Sequence, residues 1–422
     1  MAMETNMSEA VTFDIVLKVA ERCNLACNYC YYFFQEYDGN KNFPVMTQQV
    51  MDELPRFLLR SAEELNIGRF NVVLHGGEPL LLKKPRFDAL CTSLRTQLQG
   101  KVDLQLGVQT NGVLIDEEWI DIFSRHNIKA GVSIDGSREL HNRRRPDHKG
   151  RGSYDAAVRG LRMLQDAVKS GRLDRAGALC VVHASDDSEK LLEHLVFELG
   201  VENPNLNFPR GGWDNPEALE WNQSIESHRK IVRYALDKLV YPKYHFVRGV
   251  TDILFALHSD EGARRNDLRA ACRHYIATIS SEGVVHVDDN LLGVDEAFSK
   301  SSLSIFGTSL KVLIDSPVWQ QLNDAIEQVP PECQSCEWYR SCRSGDLFNR
   351  FSRQEGFKRK STLCETLQMI HEEAAGYLVR NGAVTLEELA ARLSRKPTTT
   401  AQDVLRLMKT RPQPPSEQPS AE

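Results

Sequence analysis

The sequence has no long apolar run and no excess of positive charge. No stretch of its 422 residues is apolar for the roughly 18 positions that a membrane-spanning helix needs. The formal net charge is -6, which disfavours general affinity for nucleic acid or for anionic membranes. The amino terminus also lacks the basic segment and apolar core of a secretory signal. We therefore expect a cytoplasmic protein with neither membrane nor nucleic-acid partners.

Disulfides are rare in the cytoplasm, yet the chain has ten cysteines. Cys91 and Cys180 lie in apolar patterns and are predicted to be buried core residues. The other eight cysteines indicate metal or redox chemistry. They fall into two regions of the sequence: Cys23, Cys27 and Cys30 in the first, and Cys272, Cys333, Cys336, Cys342 and Cys364 in the second.

Six short apolar runs alternate with amphipathic helical stretches between residue 13 and about residue 210. Strands that alternate with helices favour parallel pairing through right-handed crossovers. The pattern predicts an α/β fold, a partial (β/α)6 TIM-like barrel, in which chemistry gathers at the carboxyl ends of the strands. Polar motifs do follow the first four runs: the first cysteine loop, HGGEP, QTNG and SIDG.

The remaining sequence predicts further parts of the chain. A helical, charged stretch precedes a cysteine-rich extension with little periodicity, and such regions often fold around a metal. The final residues are rich in Pro, Ser and Glu, as disordered segments are. The predicted parts are a barrel over 13–215, a helical bridge over 216–271, the extension over 272–365, helices over 366–410 and a disordered tail over 411–422.

Cys23, Cys27 and Cys30 have the spacing C-x3-C-x2-C, and no fourth cysteine is nearby in the sequence. A structural zinc site takes four ligands, so three thiolates leave one position open. Three thiolates could hold three irons of a [4Fe–4S] cluster and leave the fourth iron free for a small molecule. Zinc is the alternative, because it also accepts thiolates.

This spacing, with the aromatic Tyr29 before the third cysteine, resembles the radical S-adenosylmethionine (SAM) superfamily. In that family the open iron binds the amino and carboxylate groups of SAM. Reductive cleavage then gives a 5′-deoxyadenosyl radical, which abstracts a hydrogen atom. The resemblance covers about residues 13–365. It implies a radical SAM oxidoreductase that uses SAM, a [4Fe–4S] cluster and an electron donor such as ferredoxin or flavodoxin.

The resemblance also assigns SAM-binding roles to residues that follow the predicted strands. HGGEP looks like the family's GGE motif, in which Gly76 and Gly77 allow close backbone approach. Glu78 would accept hydrogen bonds from the SAM ammonium group, with a plain turn glutamate as the alternative. The segments that match the surroundings of the ribose and methionine contain Asn111, Ser133 and Asp135.

The stretch HNRRRPDHKGRGSYD resembles a family segment in which one arginine meets the SAM carboxylate. The spacing selects Arg145, and a planar guanidinium suits a carboxylate better than lysine does. Arg143 and Arg144 are expected to lie on a solvated face.

The second cysteine region resembles the SPASM extension of peptide-modifying radical SAM enzymes, which usually holds two auxiliary clusters. Asp288 and Asp346 stand where the first auxiliary cluster would need cysteines. Cys272 is either a leftover thiol or part of a degenerate site with these two aspartates. We therefore predict one auxiliary [4Fe–4S] cluster besides the SAM-binding one, with four thiolate ligands: Cys333, Cys336, Cys342 and Cys364.

Asp289 directly follows the first of these aspartates. In sulfatase-maturing members of the family, an aspartate at that place acts as general base towards the substrate. A carboxylate in a dry pocket can take up a proton. The alternative for Asp289 is an ordinary turn residue.

The resemblance implies a ribosomally synthesised precursor peptide as substrate. FPRGGWDNPEALEW and CRSGDLFNRFS look similar to segments of enzymes that join an aromatic ring to a nearby β-carbon, which predicts a cyclophane cross-link. The altered first auxiliary site counts against formylglycine formation in sulfatases. Thioether formation, epimerisation and backbone excision are further alternatives. We expect no leader-binding domain before the barrel, because Cys23 comes so early.

Two readings from other classes stay open. VTLEELAARLSRKPTTTAQDVLRLMK has the rhythm of a helix-turn-helix, so an iron–sulfur regulator that binds DNA is conceivable. A non-catalytic zinc or cluster scaffold is the other. Cleavage of SAM would separate the enzyme from both.

Overall fold

The computed structural model describes residues 11–30, 44–182, 187–207, 211–215, 225–240 and 247–409. Its strands form one sheet in the order β6-β5-β4-β3-β2-β1-β7-β8. The strands are β1 (Val11–Ala20), β2 (Ile67–Gly76), β3 (Asp103–Thr110), β4 (Ile128–Ser133), β5 (Ala176–Val181), β6 (Pro204–Asn207), β7 (Ile276–Ile279) and β8 (Val285–His286). The first six pair in parallel with their sequence neighbours, which confirms the predicted α/β barrel.

Helices connect these six strands, as the periodicity predicts. They are α1 (Gln48–Leu65), α2 (Lys84–Leu98), α3 (Glu117–Arg125), α4 (Arg138–Arg144), α5 (Tyr154–Lys169) and α6 (Ser188–Glu193), which continues as a π-helix over His194–Glu198. Side-chain caps fix several helix starts: the Thr47 hydroxyl, for example, accepts a hydrogen bond from the Val50 amide at 3.3 Å. Cys91 on α2 and Cys180 on β5 are fully buried, as predicted.

The two faces of the sheet differ in polarity. Phe70, Val72 and Leu74 of β2 are buried in the main hydrophobic core. The alternate positions form polar pairs between neighbouring strands. Asn71 donates to Asp14 at 2.7 Å, Lys129 to Gln105 at 2.9 Å, and Gln109 to Ser133 at 3.0 Å. Because strand side chains alternate between faces, one face forms the core and the other supplies polar groups to the barrel interior.

The extension joins the barrel sheet, which the sequence does not reveal. β7 pairs in parallel with β1, opposite Asp14–Leu17, and β8 returns antiparallel to β7. The buried Glu21 carboxylate accepts hydrogen bonds from the Ser281 amide at 2.8 Å and its hydroxyl at 2.9 Å. The segment after β7 is therefore fixed beside the loop that follows β1.

The rest of the described chain is mainly helical. Its helices are α7 (Ile225–Tyr234, continuing as a π-helix over Ala235–Val240), α8 (Val250–His258), α9 (Asp260–Ala271), α10 (Asp289–Leu292), α11 (Glu296–Ser299), α12 (Leu310–Ile314), α13 (Pro317–Glu327), α14 (Tyr339–Cys342), α15 (Cys364–Arg380), α16 (Leu386–Ser394) and α17 (Ala401–Lys409). The predicted tail over 411–422 lies outside the described residues, as do residues 208–210 and 216–221 of FPRGGWDNPEALEW. The predicted domain limits stay predictions.

Candidate active site

The first three cysteines lie on the loop that leaves the carboxyl end of β1. The segment after α4 fixes this loop, since the Ala26 amide donates to the Pro146 carbonyl at 2.8 Å and the Asn28 amide donates to the Arg144 carbonyl at 3.0 Å. All three thiols are partly exposed. The loop thus presents Cys23, Cys27 and Cys30 together at the end of the barrel where chemistry was expected.

The environment of these thiols suits metal ligation. Burial raises the pKa of Cys23 to about 12 and that of Cys27 to about 11, and the neighbouring thiols raise both further. Such thiols stay protonated unless a bound cation stabilises the thiolate. Among the described residues, no three His, Cys, Asp or Glu side chains are grouped as a single metal ion would need. A cluster places one thiolate on each iron, so its ligands need not converge on one point.

Gly76 and Gly77 bring the end of β2 against the cysteine loop. The Gly77 amide donates to the Ala20 carbonyl and the Glu78 amide to the Arg22 carbonyl, both at 2.9 Å. A Cβ on Gly77 would lie 2.6 Å from the backbone carbon and oxygen of Arg22. The two glycines are therefore required by close backbone contact, as the sequence suggested.

Glu78 is fully buried and heavily hydrogen-bonded. Its carboxylate accepts from the Thr110 hydroxyl at 2.6 Å, the Asn111 amide at 2.8 Å and the Leu80 amide at 3.1 Å. Burial raises its pKa to about 7 despite these hydrogen bonds, which favour the ionised form. The carboxylate joins the ends of β2 and β3 and lies close enough to Cys23 to raise the pKa of that thiol.

Asp135 and Arg145 form a buried ion pair next to Tyr29. Arg145 donates from Nε to Asp135 Oδ2 at 2.8 Å and from Nη2 to Oδ1 at 3.2 Å. The Tyr29 hydroxyl also donates to Asp135, and the guanidinium lies 5.3 Å from the centre of the Tyr29 ring. Burial tends to raise the Asp135 pKa, but the charge of Arg145 and the hydrogen bonds hold it below its ordinary value. The structure brings these three predicted or neighbouring residues together beside Cys27.

Two other predicted residues lie at the ends of β3 and β4. The Asn111 side chain donates to Asn24 Oδ1 at 2.8 Å and points towards Cys23 Sγ at 3.8 Å. The Ser133 hydroxyl accepts from Gln109, as described above. Both residues therefore lie on the same edge of the sheet as the cysteine loop.

The expected exposure of Arg144 is wrong. Its neighbour Arg143 has a largely exposed side chain, as predicted, but Arg144 is buried. Arg144 ends α4 directly beneath the cysteine loop, whose Asn28 amide bonds to its carbonyl. The loop covers the arginine, and a run of three arginines in the sequence gives no sign of this.

Asp289 contacts a residue that the sequence analysis overlooked. The Lys18 ammonium donates to Asp289 Oδ2 at 2.8 Å and lies 3.3 Å from Nδ1 of His75. Lys18 and His75 face each other across β1 and β2, one residue before Gly76. Both partners of the ion pair are buried. A lysine inside an otherwise apolar strand was the available signal, because unpaired lysines are almost never buried.

The second group of cysteines surrounds one cavity. Cys333, Cys336, Cys342 and Cys364 all line it, together with Trp338 and Gln368. Burial raises the pKa of Cys342 to about 12 and that of Cys364 to about 11, while Arg273 and Lys360 respectively oppose this effect. Four thiols around one cavity form the closed donor set expected for a [4Fe–4S] cluster.

The three residues of the suggested degenerate site have other contacts. Asp346 forms an ion pair with Arg273 at 3.3 Å. Asp288 caps α10, because its Oδ1 accepts from the Asn290 amide at 3.0 Å. Burial raises the pKa of the Cys272 thiol to about 12. These contacts give each aspartate a structural role that requires no metal.

Comparison with known proteins identifies the barrel. Residues 17–194 match the family model of the Radical SAM superfamily. A serine-type anaerobic sulfatase-maturating enzyme of Klebsiella aerogenes is 36% identical over 160 residues, which are 36% of this chain and only 37% of that relative's length. A cysteine-type anaerobic sulfatase-maturating enzyme of Clostridium perfringens is 22% identical over 392 residues, covering 86% of this chain and 96% of that protein.

A solved structure shares the fold over most of the chain. The native enzyme anSMEcpe, with bound AdoMet and a peptide called Cp18Cys, superposes with a TM-score of 0.71 at 20% identity. The superposition covers 88% of this chain and 99% of that one. The similarity therefore includes the extension as well as the barrel. Within the described part of the chain, no helix has the length and apolar character needed to cross a membrane.

Proposed function

Because the chain carries a radical SAM domain and is a radical SAM enzyme that uses SAM and a [4Fe–4S] cluster, we propose that it oxidises a side chain of a peptide substrate. The observation that carries the proposal is the buried Asp289 carboxylate, held by Lys18 at the same end of the barrel as the SAM motifs. The names of the sulfatase-maturating relatives and the peptide bound to anSMEcpe support a peptide or protein substrate.

The proposed ligands follow from the geometry described above. Cys23, Cys27 and Cys30 would hold the SAM-cleaving cluster, and the cavity lined by four cysteines would hold one auxiliary cluster. When bound, these groups supply a radical that removes a hydrogen atom and an acceptor for one electron. The chain's own residues bind and orient the reactants and move a proton.

SAM recognition is assigned to the edge formed by β1–β4. Gly76 and Gly77 leave room for the ligand beside the cysteine loop. Glu78 already accepts three hydrogen bonds, and a carboxylate has about four acceptor sites, so one remains for the SAM ammonium group. Arg145 uses Nε and Nη2 for Asp135, and its other N–H groups could donate to the SAM carboxylate. Asn111 and Ser133 would border the ribose and methionine.

Asp289 is assigned the role of general base. After one hydrogen atom leaves a β-carbon, the substrate must lose one electron and one proton to reach a stable product. An ionised carboxylate at the barrel opening can accept that proton. The substrate loses two hydrogen atoms in total, whichever product forms.

An aromatic-to-Cβ cross-link is the proposed product. Its support is negative evidence against the sulfatase pattern: Asp288 and Asp346 replace expected cysteine ligands and have structural contacts of their own. Formylglycine is the second candidate, because the relatives that match this chain are sulfatase-maturating enzymes. We further propose a cytoplasmic setting and a reducing partner such as ferredoxin or flavodoxin.

The test is anaerobic co-expression with a short peptide encoded beside the gene, followed by mass spectrometry. A cross-link would remove two hydrogen atoms and suppress fragment ions between an aromatic residue and its neighbour. Formylglycine would instead react with a hydrazide probe. A variant with alanine at Cys27 and Cys30 is the control and should leave the peptide unmodified. An unchanged peptide with the intact enzyme, despite SAM cleavage, would contradict the proposed substrate class.

A further inference from the structure

Lys18 is a buried charge inside the barrel, and the reaction proposed above gives it no role. It occupies the interior face of β1, and its ammonium lies between Asp289 Oδ2 at 2.8 Å and His75 Nδ1 at 3.3 Å. For Nδ1 to accept this hydrogen bond, the proton of a neutral imidazole must be on Nε2. The ammonium is thus held between β2 and the start of α10.

We propose that Lys18 is the positioning residue for the base: its ammonium fixes one oxygen of Asp289 at the barrel opening and keeps that carboxylate ionised to receive the substrate proton. The inference rests on the proposed function and deepens it. The proton leaves the oxidised substrate and binds to Asp289. Lys18 keeps its own proton throughout, so no further reactant is needed.

Two separate restraints place the carboxylate. Asp288 caps α10 through its Oδ1, which bonds to the Asn290 amide at 3.0 Å and the Asn290 side chain at 2.7 Å. This contact orients the backbone at the start of the helix. Lys18 then orients the Asp289 side chain from the neighbouring strand. Cap and cation act on consecutive residues, and only the second carboxylate faces a lysine of the barrel interior.

The elements around Asp289 supply several other titratable groups. Three have cationic partners of their own: Asp346 pairs with Arg273, Asp295 with Arg353, and Glu296 with Lys300. Burial lowers the pKa of His286 to about 4, so this side chain is neutral near pH 7. The complete set, in the part of the chain that the structure describes, is Lys18 on β1, His75 on β2, His286 on β8, Asp288 before α10, Asp295 and Glu296 at α11, and Asp346 beside the short turn Leu347–Asn349 that packs on α10.

The test compares Lys18→Met and Lys18→Arg with Lys129→Met in the reconstituted enzyme. Lys129 is a matched control, since it is also a lysine of the barrel interior but donates to the neutral Gln105 amide. Two products are measured from mildly acidic to alkaline pH: 5′-deoxyadenosine and modified peptide. Their ratio reports the steps after hydrogen abstraction, while deoxyadenosine alone reports SAM cleavage.

Lys18→Met should lower the ratio of modified peptide to deoxyadenosine roughly a hundred-fold near pH 7, the scale of general-base effects. The ratio should recover at alkaline pH, because a buried carboxylate without this cation ionises only at higher pH. Lys18→Arg should restore most of the activity, and Lys129→Met should behave as the unaltered enzyme does. A Lys18→Met ratio that is unchanged, or equally low at every pH, would overturn the inference.

Thermal unfolding gives a readout independent of turnover. In Lys18→Met, ionisation of Asp289 is disfavoured in the folded state, so the variant should lose stability as pH rises. Lys18→Arg should lose much less, and a fall in unfolding temperature that is independent of pH would contradict the inference. Failure of the proposed function is distinguishable, because the unaltered enzyme would then form deoxyadenosine without modifying the peptide.

Discussion

Lys18 and Asp289 form a buried ion pair of 2.8 Å although 271 positions separate them in the sequence. Lys18 belongs to the first strand of the barrel, and Asp289 begins α10 in the extension. The pair therefore joins the part of the chain that matches the radical SAM model to a part that does not. Its position beside Gly76 links the extension directly to the SAM motifs.

Asp289→Asn should abolish peptide modification while SAM cleavage continues, because asparagine cannot take up the substrate proton. We expect at least about a hundred-fold loss of modified peptide, measured against 5′-deoxyadenosine in the same assay. Asp288→Asn is the control, since asparagine caps a helix as well as aspartate does. Equal losses in the two variants would argue against a special role for Asp289.

Arg145→Ala should destabilise the protein by about 3–5 kcal/mol, because it leaves the Asp135 carboxylate buried without its cation. The measurement is the free energy of unfolding by urea, together with equilibrium binding of SAM. Arg143→Ala, on the exposed side of the same helix, should change stability by less than about 0.5 kcal/mol. Retention of full stability and SAM binding in Arg145→Ala would refute the role of this ion pair.

Cys364→Ala should remove the auxiliary cluster and lower the iron content by about four atoms per chain. Iron and sulfide analysis of anaerobically purified protein measures this, and SAM binding should persist because the first cysteine loop is intact. Cys272→Ala should leave the iron content unchanged. Loss of iron from Cys272→Ala would instead support a degenerate cluster that includes Asp288 and Asp346.

His371 should make the protein less stable in acid. Burial lowers the pKa of this histidine from 6.5 to about 4, so the folded state binds its proton less readily than the unfolded state does. Stability from this group is complete above pH 6.5 and is lost as the pH falls towards 4, by up to about 3 kcal/mol. His371→Leu should flatten the pH dependence of the unfolding temperature across that window. An unchanged slope would contradict the assignment.

The barrel could be predicted because its signals are local. Each strand of β1–β6 is a short apolar run between amphipathic helices, and the parallel pairing follows from that alternation. The position of the polar motifs at the strand ends then located Cys23, Glu78 and Asp135 on one edge. The same logic explains why Cys91 was predicted to be buried, since its helical neighbours are apolar.

The missed features depend on contacts between distant segments. β7 and β8 are four and two residues long, too short for periodicity to reveal, yet they attach the extension to β1. Arg144 is buried because the cysteine loop folds over it, which no pattern in RRR indicates. Lys18 gave a signal, a charge inside an apolar strand, but its partner could only be identified from the structure.

The most direct measurement follows a deuterium atom from peptide to SAM product. The candidate peptide is made with deuterium at its β-carbons, and the 5′-deoxyadenosine formed by the enzyme is analysed by mass spectrometry. The account predicts deuterated 5′-deoxyadenosine together with a peptide that has lost two hydrogen atoms. A modified peptide whose deoxyadenosine carries no deuterium from any β-carbon would contradict it.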